Sequence, residues 1–118
     1  MTKFIPLFLL LVSQLSFAET CETKRELIIE NNETKVWKTT ICPQQQLPFH
    51  THDFARIVIP EEAGSLKVTY ASGRETVINF EKQIPVFLSK AQGQESHQDL
   101  NTGTLPLHVT VIELRNKN

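Results

Sequence analysis

Beyond residue 20 the chain is a series of short runs in which apolar and polar residues alternate, each closed by Gly, Pro, Asn, Asp or Ser. A period of two places every second side chain on one face of an extended strand, whereas a helix needs apolar positions three and four apart. No stretch of ten or more residues carries a clean helical stripe, so the pattern predicts an all-β protein. Strands are expected near Arg25–Glu30, Lys35–Ile41, Phe54–Ile59, Leu66–Tyr70, Thr76–Phe80, Ile84–Leu88, Ser96–Leu100 and Leu107–Leu114. Turn chemistry falls between them, at Asn31-Asn32, Pro60 to Gly64, Ala71-Ser72-Gly73, Lys90 to Gly93 and Asn101-Thr102-Gly103. Most joins are short enough for antiparallel neighbours. In the last strand Leu107, Val109 and Val111 alternate with His108, Thr110 and Ile112, which predicts cover on both faces.

The N-terminus breaks this pattern. Lys3 precedes an apolar run from Phe4 to Val12, and Ser16-Phe17-Ala18 supplies the small residues a signal peptidase needs, so residues 1–18 read as a cleaved signal peptide. That run falls short of the roughly 20 residues that span a bilayer, and Cys21 lacks the flanking residues of a lipoprotein site, so no stable membrane anchor is expected. Residues 19–118 are then expected to form a single domain, exported to a periplasm or secreted. Eight strands in about 100 residues suit a jelly roll or small barrel, which removes or shortens open sheet edges.

Composition excludes some partners. Loss of Lys3 moves the formal charge from -1 to -2, and the remaining basic residues are scattered among acidic ones. Without a basic block, electrostatic binding to nucleic acid is not expected. The two cysteines, Cys21 and Cys42, are an even count in a compartment where disulfides persist, and are expected to pair; the alternative is two unpaired thiols.

Candidate chemistry gathers in two segments. In Pro48-Phe49-His50-Thr51-His52-Asp53-Phe54-Ala55-Arg56, extended chain sends His50 and His52 to one face, with Arg56 in the same parity. In Ser96-His97-Gln98-Asp99-Leu100-Asn101, His97, Asp99 and Asn101 share a face. Three neutral imidazoles meeting inside a barrel would suit a divalent transition metal, Fe, Mn, Ni or Zn. The alternative is a pair of polar histidines at a strand entrance. Phe49 and Phe54 flank the histidines and are candidates for an apolar rim at a pocket mouth, whereas Trp37 and Tyr70 read as barrel cover and Asn101 as a turn residue ahead of Gly103.

Both segments resemble the paired motifs of the cupin superfamily. In that family the first motif runs His-x-His, three or four residues, Glu and later Gly; here His50-Thr51-His52 is followed by Arg56 and Gly64. The second is similar in Gly93, His97 and Asn101, and the likeness covers roughly Gln44 to Leu114. The resemblance implies a cupin-like jelly-roll barrel of about eight antiparallel strands, with His50, His52 and His97 as metal ligands, and the dimers common among such barrels make a homodimer an expectation. One position departs from the motif: Arg56 stands where the family has its metal-binding glutamate. A divalent ion about 5 Å from a guanidinium would feel roughly 7 kcal/mol of repulsion at an effective dielectric near 20.

Arg56 therefore divides two readings. In one, the barrel binds a small, anionic molecule between Arg56 and the histidines, with Asp99, Phe49 and Phe54 around it. In the other, His50, His52 and His97 hold a metal for a dioxygenase- or isomerase-type enzyme, and Asp99 neutralises Arg56 across the interior.

Overall fold

The computed structural model describes residues 20–115, which form eight strands and one short helix. The strands are β1 (Lys24–Glu30), β2 (Thr34–Ile41), β3 (Arg56–Pro60), β4 (Gly64–Tyr70), β5 (Glu75–Phe80), β6 (Val86–Leu88), β7 (His97–Asn101) and β8 (Leu107–Leu114), with α1 (Lys90–Gln94) between β6 and β7. The expected signal peptide lies outside the described residues. Among the described residues no helix is long and apolar enough to cross a membrane.

Two antiparallel sheets face each other, one ordered β1-β2-β8-β3-β6 and the other β5-β4-β7. The fold class is all-β, as the alternation predicts. Strand β8 lies at the centre of the larger sheet, where Val111 is opposite both Trp37 of β2 and Val58 of β3. Trp37, Ile41, Val58, Leu107, Val109 and Val111 thereby turn inward from one sheet, and meet Leu66, Ile78 and Phe80 of the other. Each such apolar side chain removed from water contributes about 1.5–3 kcal/mol. The outer face of β8 differs from expectation: His108, Thr110 and Ile112 are half-buried and Glu62 reaches back to the His108 ring, a side-chain edge rather than a second covering layer.

The segment expected to turn at Lys90 to Gly93 is instead α1. It is too short to show periodicity, and it starts on a capping box: Gln92 N donates to Ser89 Oγ, and Ser89 N donates to the Gln92 side chain. Asn101 acts as the turn residue expected of it. It is only 1 % exposed, its amide donates to the carbonyls of Ile41 and Leu105, and its Oδ1 accepts from Gly103 N. This fixes the end of β7 against β2.

Cys21 and Cys42 form a disulfide across 21 residues, tying the chain ahead of β1 to the residue that follows β2. Closing a loop of that length removes unfolded-state entropy worth roughly 3 kcal/mol. Replacing both cysteines with serine is expected to lower unfolding stability by about that amount, read as a reduced urea midpoint at an unchanged slope. A midpoint equal to the wild type would show that β1 and β2 are held without the bridge.

Candidate functional site

The chain between β2 and β3 runs antiparallel to β7. Gln46 pairs with Leu100 and His50 with His97, and the second pair exchanges two backbone hydrogen bonds of 2.9 and 3.0 Å. Directly paired residues send their side chains to the same face, so the pairing brings together imidazoles that lie far apart in sequence. His52, two residues on, donates its backbone N–H to the Gly93 carbonyl at 2.7 Å. The resulting ring centroids are 4.9 Å apart for His50 and His52, 4.5 Å for His50 and His97, and 5.3 Å for His52 and His97. One ring nitrogen from each falls within 4.8 Å of the other two.

Backbone carbonyls set two of the tautomers. His50 Nδ1 lies 2.7 Å from the Pro48 oxygen, and His97 Nδ1 lies 2.8 Å from the Glu95 oxygen. A carbonyl only accepts, so both Nδ1 atoms carry the proton and donate it, which turns each Nε2 toward the cluster as a free position. The His50 Nε2 is buried without a hydrogen-bond partner. Asp99 Oδ2 lies 3.4 Å from it, beyond the usual hydrogen-bond range.

The charges around the cluster are unequal. Arg56 is 7 % exposed, and its Nη1 is buried with no hydrogen-bond partner. Burial pulls its pKa down, and Asp99, Tyr70 and Glu113 only partly oppose that. A guanidinium stays charged in a protein nonetheless. Burial, then the positive charges of Arg56, His50, His97 and Arg25, push His52 down to about 3. His97 is lowered too, chiefly by burial. Burial pushes the Asp99 carboxyl up, but the neighbouring histidines outweigh it and hold the group below its usual range.

Of these groups His52, His97, Arg56 and Asp99 line an interior cavity of about 90 Å³, and His50 does not. Arg25, Trp37, His52, Arg56, His97 and Asp99 form the polar part of its lining, and Val58, Leu66, Val68, Phe80, Leu88 and Val109 belong to the apolar part. A wider cleft of about 420 Å³ shares Arg25, Trp37 and His52 with the cavity and opens beside it.

The sequence-derived candidates fall into three groups. His50, His52 and His97 come together, with Arg56 and Asp99 nearby. Asp99 does not pair with Arg56, because the register of β7 directs it to His50; among the described residues Arg56 has no ion-pair partner. Phe49 is 50 % exposed, since its parity is opposite to that of His50, so it forms no rim. Phe54 follows a bend at Asp53, lines the outer cleft rather than the cavity, and lies under the Arg115 guanidinium. Trp37 and Tyr70 both face the cavity, Trp37 parallel to the His52 ring at 6.3 Å. The alternation of Trp37, Thr39 and Ile41 with exposed Lys38 was the signal for this. Arg25 was not anticipated; its guanidinium lies over Trp37 at 5.9 Å.

No protein-family model matches the sequence, and no curated protein matches it. Solved structures do. A cupin domain from Bordetella pertussis superposes with a TM-score of 0.70 at 17 % identity, covering 80 % of this chain and 94 % of that one. An RmlC-like cupin family protein with a double-stranded β-helix fold, from Methanocaldococcus jannaschii, gives 0.63 at 12 % identity over 83 % and 84 %. The fold is that of the cupins. An oxalate oxidase in complex with the substrate analogue glycolate shares the cupin fold, at a TM-score of 0.59 and 11 % identity over 86 % of this chain and 55 % of that one.

The donor set of this cupin barrel fits a divalent transition metal: three inward imidazoles, two with Nδ1 fixed by carbonyls and one Nε2 left unpartnered. His50, His52 and His97 would hold such an ion. It would supply Lewis acidity beside the cavity that His52 and His97 line.

Two outcomes follow from this geometry. A Cβ at Gly93 would meet His52 Cβ at 2.7 Å and Arg56 Nη1 at 2.8 Å, so Gly93→Ala should cost about 1–3 kcal/mol in urea unfolding; an unchanged midpoint would mean that α1 shifts freely. For His52, the unfolded chain takes up a proton below about pH 6.5, and the folded protein only near pH 3. In chelator-treated protein, stability should therefore fall as pH drops from about 6.5 toward 3, by up to about 1.4 kcal/mol per pH unit from this residue. His52→Gln should flatten that slope, and an unaltered slope would assign it to other groups.

Proposed function

We propose that this protein is an exported binding module that holds a small anion inside the barrel, against Arg56 and the histidine cluster. The supporting observation is the Arg56 guanidinium, enclosed with an unpartnered Nη1 in a cavity where Asp99 is the sole carboxylate and is already in contact with His50. Arg25 adds a second positive charge to the polar part of the lining. A carboxylate or phosphate offers the planar acceptor geometry that a guanidinium fork takes. The cavity of about 90 Å³ suits a ligand of few heavy atoms. The glycolate-bound oxalate oxidase of the same fold supports small carboxylates as first probes, although fold alone assigns no function. The Cys21–Cys42 bridge and the leader-like N-terminus support export.

A second reading is favoured by the tautomers of His50 and His97, whose Nδ1–H donors leave both Nε2 atoms available to a metal. In this reading the protein is a metal-dependent enzyme of dioxygenase or isomerase type.

Calorimetric titration with acetate, glycolate and inorganic phosphate, paired with elemental analysis of protein purified from its native compartment without an affinity tag, separates the two. The binding reading expects saturable carboxylate or phosphate binding that Arg56→Ala weakens by about 10- to 100-fold, the loss of a charged hydrogen bond. Unchanged affinity in Arg56→Ala would falsify it. The enzyme reading expects about one transition metal per chain, lost in His97→Ala.

A further inference from the structure

We infer that the anion proposed for this cavity is also the ligand that completes a metal site, so that a divalent cation on His50, His52 and His97 and a small carboxylate beside Arg56 bind cooperatively. This rests on the anion-binding reading above and specifies what the anion does.

The argument is one of charge and unmet valence. Three neutral imidazoles give a cation three donors and no negative charge. The polar part of the lining already contains Arg25 and Arg56 against the single carboxylate of Asp99, so a divalent ion there enlarges a positive excess in a mostly apolar enclosure. His52 Cβ and Arg56 Nη1 lie against the same glycine of α1, Gly93, and the guanidinium charge acts on the His52 imidazole. Among the described residues two buried side-chain atoms are left without hydrogen-bond partners, His50 Nε2 and Arg56 Nη1, one suited to a cation and the other to an anion. A carboxylate has two oxygens. With one on the cation and the other on the guanidinium, it answers both needs in a cavity too small for a large ligand. Asp99 does not serve this purpose, because its contact is with His50 and no ion pair joins it to Arg56.

Such coupling is reciprocal: the factor by which carboxylate raises cation affinity equals the factor by which the cation raises carboxylate affinity. The test titrates the purified, chelator-treated protein with Zn²⁺ in the absence and presence of saturating glycolate, corrected for zinc–glycolate association in buffer. A second titration adds glycolate to the metal-free and the zinc-loaded protein. The expected result is a gain of about tenfold or more in both directions, equal within error. Arg56→Glu supplies a carboxylate from the protein itself and is expected to bind Zn²⁺ without glycolate and to lose the coupling. Since the wild-type protein alone yields the coupling factor, a misfolded variant does not weaken the test.

Glycolate that binds equally well with and without zinc overturns the coupling and leaves the anion site standing. Zinc that fails to bind under any condition, or that lowers glycolate affinity, also overturns it. Glycolate, acetate and phosphate that bind to neither form overturn both this inference and the anion-binding reading.

Discussion

Arg56 carries its charge into the wall of the barrel, and an enclosed ion without a partner costs several kcal/mol, so the rest of the interior is arranged around that cost. Two neighbouring imidazoles are pushed toward the neutral form, His97 lowered and His52 down to about 3. Asp99 remains ionised despite burial, a short way off against His50. Gly93 carries no side chain because the guanidinium and His52 already fill the space that one would take. A protein that simply needed a stable core would place an apolar residue at this position of β3, as it does at Val58 two residues later.

The backbone framework around that charge follows from the two-residue alternation. β2, β3, β4 and β8 each turn a buried row inward, and those rows were visible as apolar positions two apart. What alternation cannot supply is pairing between distant segments. The His50–His97 bridge depends on hydrogen bonds across 47 residues of chain; parity puts each histidine on a face, and likeness to a known pair of motifs adds that the two faces meet.

The misread positions have local causes. α1 has five residues, too few for any period, though Ser89 and Gln92 stand at capping-box spacing. Phe49 is next to His50 along the chain, but its parity sets it on the opposite face. Arg25 sits on a strand whose every residue is exposed, and nothing in its neighbours shows that the long side chain folds back over Trp37. Asp99 lies on the expected face but beside His50 and not Arg56, because parity fixes direction and says nothing of which neighbour is closer.

The position of β8 has a consequence for how the chain comes to hold a site at all. The last strand in sequence is hydrogen-bonded between β2 and β3, and its inward residues are the shared wall of the cavity. Contacts of such long sequence separation form slowly, since loop closure precedes any gain from packing. A nascent chain that has already exposed His50, His52 and His97 still has no enclosed pocket to offer a ligand. Closure of the cavity thus waits on the final strand, and a chain that ends early presents an unfinished sheet edge in place of a cavity wall.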